Sequence, residues 1–164
     1  MRTHHCNEIR SEHIGQTVTL IGWVNSTRDH GGVIFIDLRD REGLTQVVFR
    51  PDDSIEAAKL SHSLREEDVI QVTGTVTARL KTEEVDATND DLATGQVELV
   101  AKELTIVNKA EVLPFQLDKE LSNEDLRLKH RYLDLRRPRL TENLKQRHII
   151  TKAARDFLSD EGFL

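Results

Sequence analysis

The sequence predicts a mainly β fold: a closed barrel of five strands, with one helix between the third and fourth strands. Two observations lead to this prediction. Five segments are rich in β-branched residues and alternate apolar with polar side chains, which is typical of strands that bury one face. The segment between the third and fourth of these instead spaces its apolar residues as a helix does, behind a capping residue.

The first three strands lie in the N-terminal part of the chain. Thr17–Asn25 alternates and is the first strand, and the polar stretch that ends at Gly32 follows it as a loop. Residues 33–40 and 44–49 are the second and third strands. Asp40–Gly43 forms the turn between them, so these two strands are predicted to pair as a hairpin.

The helix and the last two strands follow. Residues 53–65 predict a helix of about three turns, capped by Asp53 or Ser54. Its apolar residues are Ile55, Ala58, Leu60 and Leu64. Val69–Leu80 and Gln96–Asn108 are the fourth and fifth strands, separated by a long acidic loop at 81–94. This element order is that of an OB-fold, a Greek-key barrel that binds oligonucleotides on strands two and three. Other five-stranded barrels stay open on element order alone.

The character of the chain changes after Asn108. Residues 109–140 read as a linker or hinge that follows a barrel domain at 1–108. Within it, Ser122 and Asp125 form a capping box for a short helix. Thr141 is predicted to cap a second, longer helix, which makes 141–164 the start of a further domain.

Composition limits the possible functions. The net charge of -6 argues against a general nucleic-acid coat, since the overall field repels phosphate. The charge is uneven, however, because residues 127–155 hold ten basic against two acidic side chains. No apolar run approaches the ~20 residues that span a bilayer, and the N-terminal residues lack the apolar core of a secretory signal. The single cysteine, Cys6, fits a reducing compartment, so a cytoplasmic protein is expected.

The predicted hairpin has one face that is not apolar. Its turn pairs Phe35 with Val48 and Asp37 with Gln46, so Phe35 and Gln46 are diagonal neighbours on the outer face. The core face carries Ile34, Ile36, Leu38, Val47 and Phe49. An aromatic ring stacks on any base, and an amide reads a base edge, so the pair could identify a single-stranded base. In the alternative interpretation, Phe35 packs under the N-terminal segment and Gln46 is only a polar strand residue.

Two stretches resemble a known family. LIGWVNSTRDHGGVIFIDLRDREGLTQVVF and RLKHRYLDLRRP are similar to the N-terminal region of bacterial aspartyl-tRNA synthetases, and the resemblance covers essentially the whole chain. The octapeptide Arg131–Pro138 is its most specific part. The resemblance implies an OB-fold that binds the anticodon of tRNA(Asp), then a linker and helices leading into a class II catalytic domain that is missing here.

The resemblance also implies that the catalytic chemistry belongs to another domain of the full-length enzyme. ATP and magnesium would bind the catalytic domain of the full-length enzyme, which is expected to be a homodimer. This chain is then expected to hold no catalytic residue, no cofactor and no metal, and to turn over no ATP. His4, His5 and Cys6 are not a credible metal site, because adjacent side chains diverge.

The resemblance assigns tRNA contacts to five positions. Phe35 would stack on the central uridine of the anticodon, and Gln46 would hydrogen-bond it. Arg28, in the loop after the first strand, would contact the region of the third base. Glu98 would read the guanine-like first base, since a carboxylate accepts two hydrogen bonds from a guanine edge. Arg79, at the end of the fourth strand, would contact a phosphate.

Departures from the family pattern concern the first loop. Ser26 and Thr27 stand where many relatives carry arginine, so two phosphate contacts are expected to be absent. His30 resembles the family members that also charge tRNA(Asn), which makes that tRNA a further expected partner. Two roles remain open for the hinge arginines Arg131, Arg136 and Arg137. They could contact the tRNA stem, or they could pair with carboxylates of the missing domain.

Two rival functions remain. One is a free-standing OB-fold that binds single-stranded nucleic acid without enzymatic activity. The other is a purely structural barrel that joins subunits. Dependence of binding on base sequence separates the anticodon reader from the general binder.

Overall fold

Five strands close into a barrel in the order β1-β2-β3-β5-β4, as the sequence predicts. The strands are β1 Thr17–His30, β2 Val33–Arg39, β3 Leu44–Phe49, β4 Val69–Ala78 and β5 Val97–Asn108, and helix α1, Ile55–Ser61, lies between β3 and β4. Neighbouring strands are antiparallel except β3 and β5, which run parallel. The predicted OB-fold, mainly β with five strands and one inserted helix, is confirmed.

This computed structural model describes residues 1–80, 87–117 and 123–163. The first six residues of the acidic loop predicted at 81–94 therefore lie outside the described residues. The chain divides into two compact units, Met1–Glu111 and Val112–Leu164. No helix in the described ranges is long and apolar enough to cross a membrane.

Strand β1 extends further than predicted. It was expected to end at Asn25, but it continues to His30, and its last residues pair with β2. These residues are polar and exposed, so the alternating apolar pattern that marks a buried strand is missing from them. Gly31 and Gly32, with φ of 63° and 89°, make a two-residue turn that joins the strands. Such turns need positive φ at both central residues, which glycine adopts without strain.

The hairpin of β2 and β3 has the predicted register. Phe35 pairs with Val48 and Asp37 with Gln46. The predicted core face is buried: Ile34, Ile36, Leu38, Val47 and Phe49. Val48, on the opposite face, is also fully buried.

Helix α1 is shorter than the predicted three turns. The Ser54 side chain caps it by accepting a hydrogen bond from the Ala57 amide, which confirms one of the two predicted caps. The helix ends at Ser61, whose hydroxyl donates to the carbonyl of Ala58. The predicted apolar face is wrong at Ile55 and Leu60, which are exposed, whereas small residues face the barrel. The buried residues of this region are Ala57, Ala58, Ser61 and Leu64.

Two glycines permit close approach of strands. A Cβ on Gly22 would lie 2.3 Å from the carbonyl oxygen of Arg39, and one on Gly74 would lie 2.2 Å from that of Val100. No side chain fits at these distances. Glycine at both positions therefore lets β1 and β4 coil tightly enough to close the barrel.

The second unit contains three helices among its described residues: α2 Glu124–Lys129, α3 Arg131–Asp134 and α4 Pro138–Asp160. The predicted capping residues are wrong. Asn123 caps α2, accepting a hydrogen bond from the amide of Asp125, while Ser122 lies outside the described residues. Helix α4 begins at Pro138 and not at Thr141, because the fixed φ of proline suits the first helical position.

Asp134 organises the octapeptide that carries the family resemblance. Its buried carboxylate accepts hydrogen bonds from Arg127 and Arg131 and lies 3.2 Å from Nε of Arg137. The hydrogen bonds from Arg127, helped by the charges of Arg131 and Arg137, lower the pKa of Asp134 below its ordinary value. Two of the three hinge arginines therefore have a counter-ion inside their own octapeptide, a partner that the sequence analysis did not consider.

Asp40 anchors the segment that precedes the barrel. Its Oδ2 accepts hydrogen bonds from the amide of Cys6 at 3.0 Å and from Nδ1 of His5 at 2.9 Å. Its Oδ1 accepts one from the amide of Glu42 at 2.8 Å, within the hairpin turn. Burial opposes ionisation of this carboxyl, but the hydrogen bonds outweigh it and lower the pKa of Asp40. One carboxylate thus holds the N-terminal segment and the β2–β3 turn together.

The first prediction concerns this anchor. Replacing Asp40 by alanine should lower the free energy of unfolding at pH 7 by about 2 kcal/mol, because the buried Cys6 amide loses its acceptor. A carboxyl whose pKa is lowered by folding stabilises above its unfolded pKa, and this contribution is lost as pH falls through the folded value. The difference between the parent and Asp40→Ala should therefore begin to narrow as pH falls below about 4, and it should close only below the lowered pKa of the folded protein.

Denaturant titrations followed by the fluorescence of Trp23, between pH 3 and 7, would measure this difference. Asp52→Ala is the control, since Asp52 is exposed beyond β3. A constant gap between the parent and Asp40→Ala across this pH range would contradict the assignment.

Candidate nucleic-acid interface

Three polar side chains lie side by side across three strands of the barrel. Asp37 of β2 pairs with Gln46 of β3. The parallel register of β3 and β5 pairs Val47 with Leu99, which brings Glu98 beside Gln46. Because side chains alternate along a strand, all three project from the outer face, opposite the buried core residues.

The amide of Gln46 has a single orientation. Its Nε2 donates to Oε2 of Glu98 at 2.9 Å, and its Oε1 accepts from Nη2 of Arg28 at 3.3 Å. A carboxylate only accepts hydrogen bonds and a guanidinium only donates them, so a flipped amide would lose both. One hydrogen of Nε2 and one lone pair of Oε1 remain for a ligand, in a fixed order.

Each of the two carboxylates has its own guanidinium. Asp37 accepts from Nη2 of Arg28 at 3.0 Å, and also from the hydroxyl of Ser26 at 2.6 Å. Glu98 accepts from Nη2 of Arg50 at 2.9 Å. Arg28, Asp37, Gln46, Glu98 and Arg50 thus form one hydrogen-bonded set, called the polar row below.

An aromatic pair flanks the polar row. Phe35 is half-buried and lies opposite Arg28 in the register of β1 and β2. Its ring meets that of His30 edge to face, with centroids 5.7 Å apart. An exposed part of the phenyl ring next to a fixed amide can accept a stacked planar ligand.

Arg79 lies near the polar row but is buried. Its Nε donates to the carbonyl of Val97 at 3.1 Å, and its buried Nη2 has no hydrogen-bond partner among the described residues. Burial lowers the pKa of this guanidinium, while the charges of Glu98 and Asp37 act in the opposite direction. Arg79 also borders a cavity of about 300 Å³. It therefore retains a donor that could reach an anion, although a contact with phosphate stays a prediction.

The structure brings three of the five predicted site residues into one network. Arg28, Gln46 and Glu98 are connected by hydrogen bonds, and Phe35 adjoins them. The predicted setting of Arg28 was wrong, because it lies on β1 and not in a loop. Their roles toward RNA stay predictions.

Sequence reasoning missed the supporting residues. Asp37 was placed on the outer face without a role, Ser26 was noted only as a position where relatives carry arginine, and Arg50 was not considered. The pairing of Asp37 with Gln46 was readable from the hairpin turn. The contact of Arg50 with Glu98 was not, because it joins residues 48 positions apart and depends on the parallel pairing of β3 with β5.

Comparison with known proteins agrees with this geometry. The family described as OB-fold nucleic acid binding domain matches residues 18–107, which contain all five strands apart from their outermost residues. The chain belongs to this OB-fold family. A second family, the class II tRNA synthetases (D, K and N), matches residues 123–164.

The OB-fold chain has close relatives among tRNA ligases. It is 52% identical to the aspartate–tRNA(Asp/Asn) ligase of Magnetococcus marinus, over 99% of this chain and 26% of that protein. It is 49% identical to the aspartate–tRNA ligase of Bacillus licheniformis, over 99% of this chain and 27% of that protein. The chain thus spans about a quarter of the length of the curated relatives it matches. The resemblance to aspartyl-tRNA synthetases is confirmed.

A solved structure has the same fold over most of the OB-fold chain. The asparaginyl-tRNA synthetase from Pyrococcus horikoshii matches with a TM-score of 0.80 and 26% sequence identity. The match covers 97% of this chain and 36% of that one.

The second prediction tests the polar row in the free protein. Gln46→Glu would place a carboxylate between Glu98 and Asp37, so the pKa of the new group should rise. An acid whose pKa is raised by folding destabilises once it ionises. We therefore expect a loss of about 1–2 kcal/mol at pH 7 that is recovered as pH falls toward 5.

Urea titrations at pH 5 and 7 would measure this effect. The matched control is Gln71→Glu on the outer face of β4, where the cross-strand partners are the uncharged Ile21 and Thr105. An equal dependence on pH in both variants would show that Gln46 is not held against carboxylates.

Proposed function

We propose that this chain is the anticodon-binding part of an aspartate–tRNA ligase, which joins aspartate to tRNA(Asp) using ATP through an aspartyl-adenylate. The observation that carries the proposal is the polar row beside Phe35, on the second and third strands of an OB-fold. Relatives that are about half identical over the whole chain carry the ligase name.

The locked amide of Gln46 supplies a chemical basis for choosing a base. Uracil presents a donor, N3–H, next to an acceptor, O4, and cytosine presents an acceptor, N3, next to a donor amine. Because the order of donor and acceptor on Gln46 is fixed, it can pair with only one of these two base edges in a given pose. The other edge would leave hydrogen-bonding groups unpaired. Phe35 adds stacking, worth ~1–3 kcal/mol, that any base can use. The family resemblance assigns uridine as the base that this order fits at the central position of the anticodon.

The remaining predicted contacts extend this recognition along the strand. Glu98 accepts one hydrogen bond on each oxygen and keeps further lone pairs, which supports a role toward the guanine-like first base. Arg28 is proposed to contact the region of the third base. A phosphate contact of Arg79 is supported by its Nη2, which has no partner among the described residues.

The range of tRNAs is proposed to include tRNA(Asn). His30 lies against the ring of Phe35 at the end of β1, where it faces the same ligand. The name of the Magnetococcus marinus relative includes both tRNA(Asp) and tRNA(Asn). The name of the Bacillus licheniformis relative is aspartate–tRNA ligase and mentions neither. Comparable aminoacylation of both tRNAs by the full-length enzyme would support this extension.

Other properties of the whole enzyme rest on the family alone. ATP and magnesium are proposed, from the family, to bind the catalytic part of the full-length enzyme. The homodimeric state also comes from the family, and the buried free thiol of Cys6 supports a cytoplasmic location.

The proposal is tested by titrating this chain with a fluorescent anticodon stem-loop that carries GUC, at one fixed salt concentration. A second loop replaces the central uridine with cytidine. Preference for GUC supports anticodon reading. Equal affinity would favour the general single-strand binder, and failure to bind either loop would contradict anticodon binding by this chain.

The third prediction separates stacking from base reading. Phe35→Ala should weaken binding of both loops by about tenfold, because stacking does not depend on the base. Gln46→Ala should mainly reduce the preference for the uridine loop. Gln71→Ala is the control for Gln46, since it removes an amide from another part of the outer surface. If both site variants bound as the parent does, the binding face would lie elsewhere.

A further inference from the structure

We infer that Arg50 is a positioning residue for base selection, acting through Glu98 on the amide of Gln46; this inference rests on the proposed function. Arg50 directly follows β3, and its Nη2 lies 2.9 Å from Oε1 of Glu98. The Arg50 side chain is 43% exposed, whereas that of Glu98 is 7% exposed. The guanidinium of Arg50 therefore lies at the solvent-exposed end of the polar row.

The backbone of Arg50 is held independently of the salt bridge. Its carbonyl oxygen accepts hydrogen bonds from the amides of Asp53 and Ser54, at 3.1 and 3.2 Å, just before helix α1. The side chain thus starts from a fixed point next to β5. A planar guanidinium presents its donors in a fixed fork, so it can fix the plane of a carboxylate better than a lysine can.

Removing the guanidinium would release the amide. Glu98 would then keep one described hydrogen bond, the one from Gln46, and its buried charge would lose its ion pair. An alternative cation is Arg79, which interacts electrostatically with Glu98 and whose Nη2 has no partner among the described residues. A carboxylate that turns toward Arg79 leaves Nε2 of Gln46, so the order of donor and acceptor is no longer fixed.

Arg50 could instead contact a phosphate, since part of it is exposed, and the two roles have different signatures. Loss of a phosphate contact weakens binding of all sequences and reduces the slope of log affinity against log salt by about 1. Loss of a positioning residue reduces the preference between bases and leaves the slope unchanged. The base preference therefore distinguishes them.

The experiment uses the whole chain with Arg50→Met, Arg50→Lys and the control Arg65→Met, which removes an exposed charge elsewhere on the barrel. Affinities for the GUC loop and for the loop with central cytidine are measured at three salt concentrations. We expect Arg50→Met to reduce the preference for uridine about five- to tenfold with the same salt slope. Arg50→Lys should retain part of the preference, and Arg65→Met all of it.

A second readout needs no RNA. The side-chain amide resonances of Gln46 should shift in Arg50→Met and stay in place in Arg65→Met. In a double-mutant cycle, Arg50→Met should change the base preference no further once Gln46 is alanine.

The outcomes are distinguishable. A parent that shows no base preference would remove the proposed function and this inference with it. A parent that prefers uridine, together with an Arg50→Met variant that prefers it equally, would overturn the inference alone. A uniform loss of affinity with a smaller salt slope would make Arg50 a phosphate contact and would also overturn it.

Discussion

The parallel pairing of β3 with β5 is the constraint on which this barrel and its outer surface depend. It closes the sheet, since β5 also pairs with β4, and it gives β3 a hydrogen-bonded neighbour on each side. The same pairing sets Glu98 beside Gln46, although 52 positions separate them in the chain. The same strand pairing therefore both closes the barrel and assembles the polar row.

Buried carboxylates organise each part of the described structure. Asp40 joins the N-terminal segment to a turn, Glu98 joins β3 to β5, and Asp134 gathers three arginines within the second unit. In each case the buried charge is surrounded by donors, as the cost of burying an unpaired charge requires. This acidic protein thus uses selected buried acids to connect separate segments of the chain.

The features that the sequence predicted correctly depend on residues close together in the chain. The turn at Asp40–Gly43 determined the hairpin register, and with it the outward placement of Phe35 and Gln46. The extension of β1 was missed because its polar residues carry no alternating pattern, although Gly31 and Gly32 are a recognised hairpin signal. Arg50 could not be placed beside Glu98, because long-range parallel pairing leaves no periodic trace in either segment.

The polar row also has a consequence for the thermodynamics of recognition. Its side chains are already held by one another, so their rotational freedom is lost when the protein folds and not when a ligand arrives. Ordering a flexible side chain on binding costs about 0.5–1.5 kcal/mol, and a preorganised surface avoids that cost at each position. The entropy cost of ordering these side chains is instead met when the chain folds. It lowers the free energy of unfolding, although these surface side chains contribute little to the core.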